Sequence, residues 1–213
     1  MLRTETVTDH TLELLKSLML DKELNDFFLV GGTALSLQIG HRISIDIDLF
    51  SRQSFDVNEL LSYLESKDFT LDFLDKNTIK GKINGVAVDL ITHAYPLAND
   101  IIVTDGIRMA SLEDIAAMKL NAIVSNGTRL KDFIDITYLS SYLSLKQMMD
   151  AYEQKYTSRN PVLILKSLAF HDEINHNEPI NLLNPNIQWK VFAKRIKEMI
   201  QTPGKIFPKF LKK

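Results

Sequence analysis

Residues 28–50, FLVGGTALSLQIGHRISIDIDLF, narrow the available folds most, because they read as strand, glycine turn, short helix and second strand in quick succession. Phe27 to Val30 is a short apolar strand that stops at Gly31 and Gly32. Thr33 is expected to cap a brief helix, Ala34 to Ile39, which Gly40 ends. Ser44 to Phe50 alternates in the manner of a strand, placing Ile45, Ile47 and Leu49 on a core face and Ser44, Asp46 and Asp48 on the other. The two aspartates then share one face at a Cα separation of roughly 6.5–7 Å. Ionised carboxylates on an otherwise apolar strand repel each other unless a cation lies between them.

The elements that follow give that pair a setting. Val57 to Ser66 is helical in pattern, and Phe69 to Leu74, Thr78 to Ile83 and Val86 to Thr92 read as strands, the last two joined by Asn84-Gly85. In the last strand Val86, Val88 and Leu90 take one face and leave Asp89 on the other, so a third carboxylate can converge if this strand neighbours the first. Asp72 and Asp75 are rivals for that place, although Asp72 alternates with Leu71 and Phe73 as an exposed residue does. From Ser111 onward the pattern is helical: Ser111 to Ser125, Lys131 to Leu143, Leu145 to Lys155, Pro161 to Phe170 and Gln188 to Ile200, after an opening helix over residues 9 to 20. The expected fold is α+β, a mixed sheet with flanking helices followed by a mostly helical C-terminal half. Residues 1–105 form the α/β core, 106–213 the helical region, and Pro96 to Arg108 the junction.

Composition removes several function classes. With 213 residues, 45% of them hydrophobic, the chain can bury a sizeable core. The absence of cysteine excludes disulfides and thiolate metal sites. No apolar run reaches the length that crosses a bilayer, and the first twenty residues lack a signal-type core, so a cytoplasmic location is expected. The whole-chain charge of −2 divides into +7 over Lys190 to Lys213 and −9 over the preceding residues. The basic run reads either as a solvated helix and tail or as a contact for nucleic acid.

Oxygen donors at Asp46, Asp48 and Asp89, without a paired His or Cys, suit hard Mg²⁺ or Mn²⁺. Two such ions about 3.5–4 Å apart activate a hydroxyl and stabilise a leaving pyrophosphate. Gly-Gly before a helix lets phosphate meet free N–H groups and the positive helix end. Lys119 falls in the middle of the apolar stripe Leu112, Ile115, Ala116, Leu120 and Ile123, where its amine either reaches an anion or snorkels to water. Asp132 and Asp135 border the buried face of the next helix, either as chemical groups or as ion-pair partners of Arg129 or Lys131. His93, His171 and His176 show no paired ligand spacing, His41 either touches a phosphate or caps the turn, and Trp189 is read as an anchor for the last helix over a platform for a base.

These residues carry a resemblance. GGTALSLQIGHRISIDIDLF resembles the first motif of nucleotidyltransferases of the AbiEii toxin type, the toxins of bacterial toxin–antitoxin and abortive-infection systems within the polymerase-β-like superfamily. Gly31, Gly32 and Thr33 match the family's turn, Arg42, Ser44, Asp46 and Asp48 its acidic strand, and Asp89 its further acidic strand. Lys119 and then Arg129, Lys131, Asp132 and Asp135 match its helical motifs, so the likeness runs from about residue 28 to 139. The resemblance implies transfer of a nucleoside monophosphate from a nucleoside triphosphate (NTP), with metal held by Asp46, Asp48 and Asp89. Gly31, Gly32, Thr33, Arg42, Ser44, Lys119 and Arg129 are then expected to bind the nucleotide, and Lys119, Asp132 and Asp135 to join the catalytic set. It also implies an RNA acceptor, the 3′ end of tRNA, and an antitoxin encoded nearby. A small acceptor of aminoglycoside type and an idle nucleotide- or partner-binding member are the competing readings.

Overall fold

The computed structural model describes residues 1–157, 160 and 162–210. Pro161, expected to open a helix, and Leu211, Lys212 and Lys213 of the basic segment lie outside the described residues. The chain forms two compact units, one of residues 1–96 and 100–110 and the other of residues 97–99 and 111–213. Among the described residues no helix is long and apolar enough to cross a membrane.

The first unit is a seven-stranded mixed sheet with three helices. After a 3-10 turn at Thr4–Thr6, α1 (Asp9–Leu20) starts where the Thr8 side chain accepts the Thr11 amide, and it buries Leu15, Leu18 and Met19. Then follow β1 (Phe27–Leu29), α2 (Gly31–Ile39), β2 (Ile47–Ser51), α3 (Val57–Glu65), β3 (Phe69–Asp75), β4 (Thr78–Ile83), β5 (Val86–Thr92), β6 (Ile102–Thr104) and β7 (Ile107–Met109). The strand order is β3-β4-β5-β2-β1-β7-β6. The β2–β5 and β1–β7 pairs are parallel and the others antiparallel. Central β1 is buried along its whole length, whereas β2 and β5 alternate buried with half-buried residues, as strands with one core face do.

The 4–5 hairpin turns on Asn84-Gly85, both at positive φ, the geometry a two-residue turn needs to match strand twist. Its register pairs Ile83 with Val86 and, counting back, Lys80 with Asp89. The segment read as a bare junction contains a second hairpin, β6–β7, turning on Asp105-Gly106 with the same positive φ values. Ile107 and Met109 of β7 are fully buried, and Met109 pairs with Leu29. Between them, Arg108 fans its guanidinium onto the carbonyls of Phe27, Met19 and Leu24 at 2.8–3.0 Å, closing the end of α1 against the sheet.

The second unit contains α4 (Leu112–Ser125), α5 (Leu130–Leu139), α6 (Leu145–Lys155), α7 (Val162–Ala169) and α8 (Trp189–Gln201). Ser111 caps α4 and Ser144 with Gln147 forms a capping box on α6. Helix α5 stops at Leu139, short of the expected Leu143, where the Ser140 hydroxyl donates to the Thr137 carbonyl and the Ser140 carbonyl accepts the Phe207 amide. Trp189 packs edge-on to Phe133 and His171, which anchors α8.

A fully buried ion pair, Lys155 Nζ to Asp114 Oδ1 at 2.7 Å, ties α6 to α4. Asp114 also accepts the amides of Ala98 and Asn99 and the Ser111 hydroxyl, which fastens residues 97–99 to the helical unit. Asp114→Ala removes the carboxylate that faces the buried Lys155 ammonium, so a loss of about 3–5 kcal/mol in urea unfolding is expected. A loss below about 1 kcal/mol contradicts this assignment.

Candidate active site

Strand β2 presents Ile47 and Leu49 to the core at 0% exposure and turns Asp48 and Phe50 to the other, half-buried face. The alternation does not extend back to Ser44. Ser44 is buried and Ile45 is 60% exposed, so Ile45 is not a core residue as its spacing predicted. The cause is a tertiary bond: the Ser44 amide is bonded to the Thr6 carbonyl and the ladder of β2 begins only at Ile47. Asp46 is exposed, directly before the strand.

Asp48 and Asp89 are direct register partners on the adjacent parallel strands β2 and β5. Their Cα atoms are therefore about 4.8 Å apart with both side chains on one face. On the far side of Asp89, Lys80 of β4 donates its ammonium to Asp89 Oδ2. On the far side of Asp48 stands the N-terminus of α2. The Val30 amide bonds the Asp48 carbonyl at 2.9 Å, and Gly31 adopts φ +69° with the Asp48 carboxylate where a Cβ would stand. Any side chain at Gly31 would both strain the backbone and collide with Asp48.

Thr33 is the third residue of α2 rather than its cap; Val30 occupies the cap position without a side-chain bond, leaving the first turn's amides without a side-chain cap. The buried Thr33 hydroxyl sits 2.9 Å from Ser44 Oγ and donates to the Asp46 carbonyl. It thereby ties the start of the helix to the segment that carries Asp46. Arg42 is also buried, its guanidinium packed where a Cβ on Gly32 would stand and its Nη1 donating to the Ile43 carbonyl. Gly31 and Gly32 are thus demanded by close approach, one to a carboxylate and one to a guanidinium.

The adjacent carboxylates of Asp48 and Asp89 fit a hard divalent cation by type and proximity. Among the described residues, however, no group of three His, Asp or Glu side chains is gathered as a metal site. Asp89 is engaged by Lys80, and Asp46 lies outside the strand ladder.

In the helical unit Lys119 is 7% exposed and its Nζ lies 2.7 Å from both Asp132 Oδ1 and Asp135 Oδ2. The amine therefore does not snorkel. It pairs with two carboxylates that α5 turns inward at 1% and 0% exposure. Arg129, about half exposed, approaches Asp132 Oδ2 at 3.5 Å, an oxygen that makes no hydrogen bond. Lys131 pairs with Glu178 rather than with either aspartate.

The basic C-terminal run is partly spoken for. Arg195 lies over the rings of Phe207 and Phe210 and bonds Ser140 Oγ, and burial lowers its pKa. Lys205 and Lys209 lie over Phe207 and Tyr142. Lys190, Lys194 and Lys197 form an exposed stripe on α8 opposite buried Phe192, Ile196 and Met199. Lys80 was missed by sequence reading. The signal was present, since a two-residue Asn84-Gly85 turn fixes a register that sets Lys80 opposite Asp89.

Comparison with known proteins sets the chain in a family. A protein of Aquifex aeolicus (strain VF5), aq_aa25, is 29% identical over 192 residues, covering 83% of this chain and 89% of its own. A Helicobacter pylori structure described as a candidate nucleotidyltransferase superposes with TM-score 0.55 at 19% identity, over 91% of this chain and 94% of its own. The antibiotic-resistance factor ANT(2'')-Ia superposes with TM-score 0.53 at 18% identity, over 68% of this chain and 91% of its own. These two likenesses carry the fold, a nucleotidyltransferase-type mixed sheet with flanking helices. The description "Nucleotidyl transferase AbiEii toxin, Type IV TA system" matches residues 13–78 and 69–211, nearly the whole chain, so the chain belongs to the AbiEii nucleotidyltransferase family of type IV toxin–antitoxin systems.

Proposed function

We propose that the acidic face of β2 and β5 transfers a nucleoside monophosphate from an NTP to RNA, at the 3′ end of tRNA, with Mg²⁺ or Mn²⁺ as cofactor. The observation that carries this reading is the in-register pair Asp48–Asp89 beside the N-terminus of α2. Asp46, Asp48 and Asp89 would hold the divalent ions, whose positive charge offsets the triphosphate and favours departure of pyrophosphate.

The chain's own groups do the rest. The amides of Gly31 and Gly32 face the β and γ phosphates at the positive end of α2. Thr33 and Ser44 fix the segment bearing Asp46, and Arg42 adds positive charge behind Gly32. The acceptor hydroxyl gives its proton to solvent as its oxygen attacks the α-phosphorus, the bond from that phosphorus to the oxygen bridging to the β-phosphate breaks, and pyrophosphate leaves. In the helical unit, Lys119, Asp132 and Asp135 form a group of net charge −1 that Arg129 brings to neutrality. The two units follow the same logic, an acidic sheet unit for the nucleotide and a basic helical unit for RNA; because β7 pairs into the sheet, the expected division at residues 105 and 106 shifts to 110 and 111.

Two partners belong to this account. Membership of a type IV toxin–antitoxin family implies an antitoxin. The Lys190, Lys194 and Lys197 stripe supports a polyanionic acceptor. Replacing all three by Gln is expected to weaken tRNA binding and to flatten the slope of log K against log salt by about 2 to 3, as loss of three phosphate contacts requires. An unchanged slope in a filter-binding titration removes the stripe from the RNA contact.

A second reading is favoured by one finding. The fold is shared with ANT(2'')-Ia, whose complex with adenylyl-2''-tobramycin is known, so a small hydroxylated acceptor suits the same face. Incubation with each of four α-labelled NTPs, offered total tRNA or an aminoglycoside, separates the two. Label in tRNA supports the first reading, label only in the aminoglycoside the second, and label in neither overturns both.

A further inference from the structure

We propose that Lys80 is a built-in counter-ion for Asp89 that a divalent cation must displace, so that Lys80 sets how tightly the acidic face holds metal. The inference rests on the reading of that face as the transfer site and adds a residue to it.

The sheet lays out one row of charge across three strands. Lys80 of β4 stands opposite Asp89 of β5, Asp89 stands beside Asp48 of β2, and Asp48 abuts Gly31 at the start of α2. Two adjacent carboxylates are thus flanked by an ammonium on one side and a positive helix end on the other. Without those flanks the pair is a like-charge cross-strand neighbour contact, which disfavours the sheet. Lys80 leaves the Asp48–Asp89 pair with net charge −1, and its withdrawal restores −2, the charge that matches one divalent ion.

Two further observations distinguish this contact from a generic surface ion pair. The Lys80 side chain is 41% exposed while Asp89 is 23% exposed, so the ammonium has a path to water and the carboxylate stays on the face. Lys82, two residues on and projecting to the same side, stands opposite Ala87 and lies 4.0 Å from Asp72. The strand therefore carries lysines at two successive positions of one face, and the one opposite Asp89 is drawn into the acidic face.

Mn²⁺ binding to the full chain, followed by the loss of the free-ion paramagnetic resonance signal, tests the proposal without any turnover. The variants are Lys80→Met, Asp48→Asn and Lys80→Met combined with Asp89→Asn, each checked for a cooperative thermal transition. Lys80→Met is expected to bind Mn²⁺ about 3- to 5-fold more tightly, the range for freeing a carboxylate from a partly exposed ion pair. Asp48→Asn is expected to lose the binding, and Asp89→Asn to erase the gain from Lys80→Met. Equal or weaker binding in Lys80→Met, with Asp48-dependent binding intact, overturns the role of Lys80 and leaves the transfer site standing. Binding that Asp48→Asn does not alter overturns both.

Discussion

Asp48→Asn is expected to reduce nucleotidyl transfer by roughly a thousandfold, the order seen when a principal electrostatic group is removed from a reaction centre. The same variant is expected to fold at least as well as the parent. Asparagine keeps the shape that fits against Gly31, the Asp48 carbonyl keeps its bond from the Val30 amide, and the like-charge contact with Asp89 is relieved. Loss of activity with unchanged or raised thermal stability separates a chemical role from a structural one. An unstable Asp48→Asn protein would mean that the carboxylate serves the helix terminus first.

The opposite balance is expected at Lys119. Its amine is ion-paired to both Asp132 and Asp135, which are 1% and 0% exposed, so Lys119→Met removes the ammonium that two buried carboxylates share. A loss of about 3–5 kcal/mol in urea unfolding follows. Removing the charges as well, with Asp132→Asn and Asp135→Asn in the same chain, is expected to recover most of it, because an uncharged cluster has no unpaired ion to desolvate. Full stability of Lys119→Met with activity lost would reverse the account and place the amine on the substrate.

The contrast between these sites explains what the sequence could disclose. Strands β4 and β5 were legible to the residue, because alternation fixes their faces and Asn84-Gly85 fixes their register. Asp48 beside Asp89 followed once β2 and β5 were neighbours. Ile45 was misplaced because a tertiary bond, Ser44 amide to Thr6 carbonyl, delays the strand, and no local pattern encodes such a bond. The β6–β7 hairpin was missed although Asp105-Gly106 carries the same turn signal, since its three-residue strands are too short to show a period. Lys119 stood out in its apolar stripe, but which anion it meets depends on how α4 packs on α5, which spacing within one helix does not give.

The central claim is that the Asp48–Asp89 face carries out nucleotidyl transfer. The most direct test measures label transfer and pyrophosphate release together, with Mg²⁺ and α-labelled NTPs on total tRNA, for the parent chain and for Asp48→Asn. Equal amounts of transferred label and released pyrophosphate in the parent, both lost in Asp48→Asn, are the predicted result. Transfer that persists in a folded Asp48→Asn protein would contradict it.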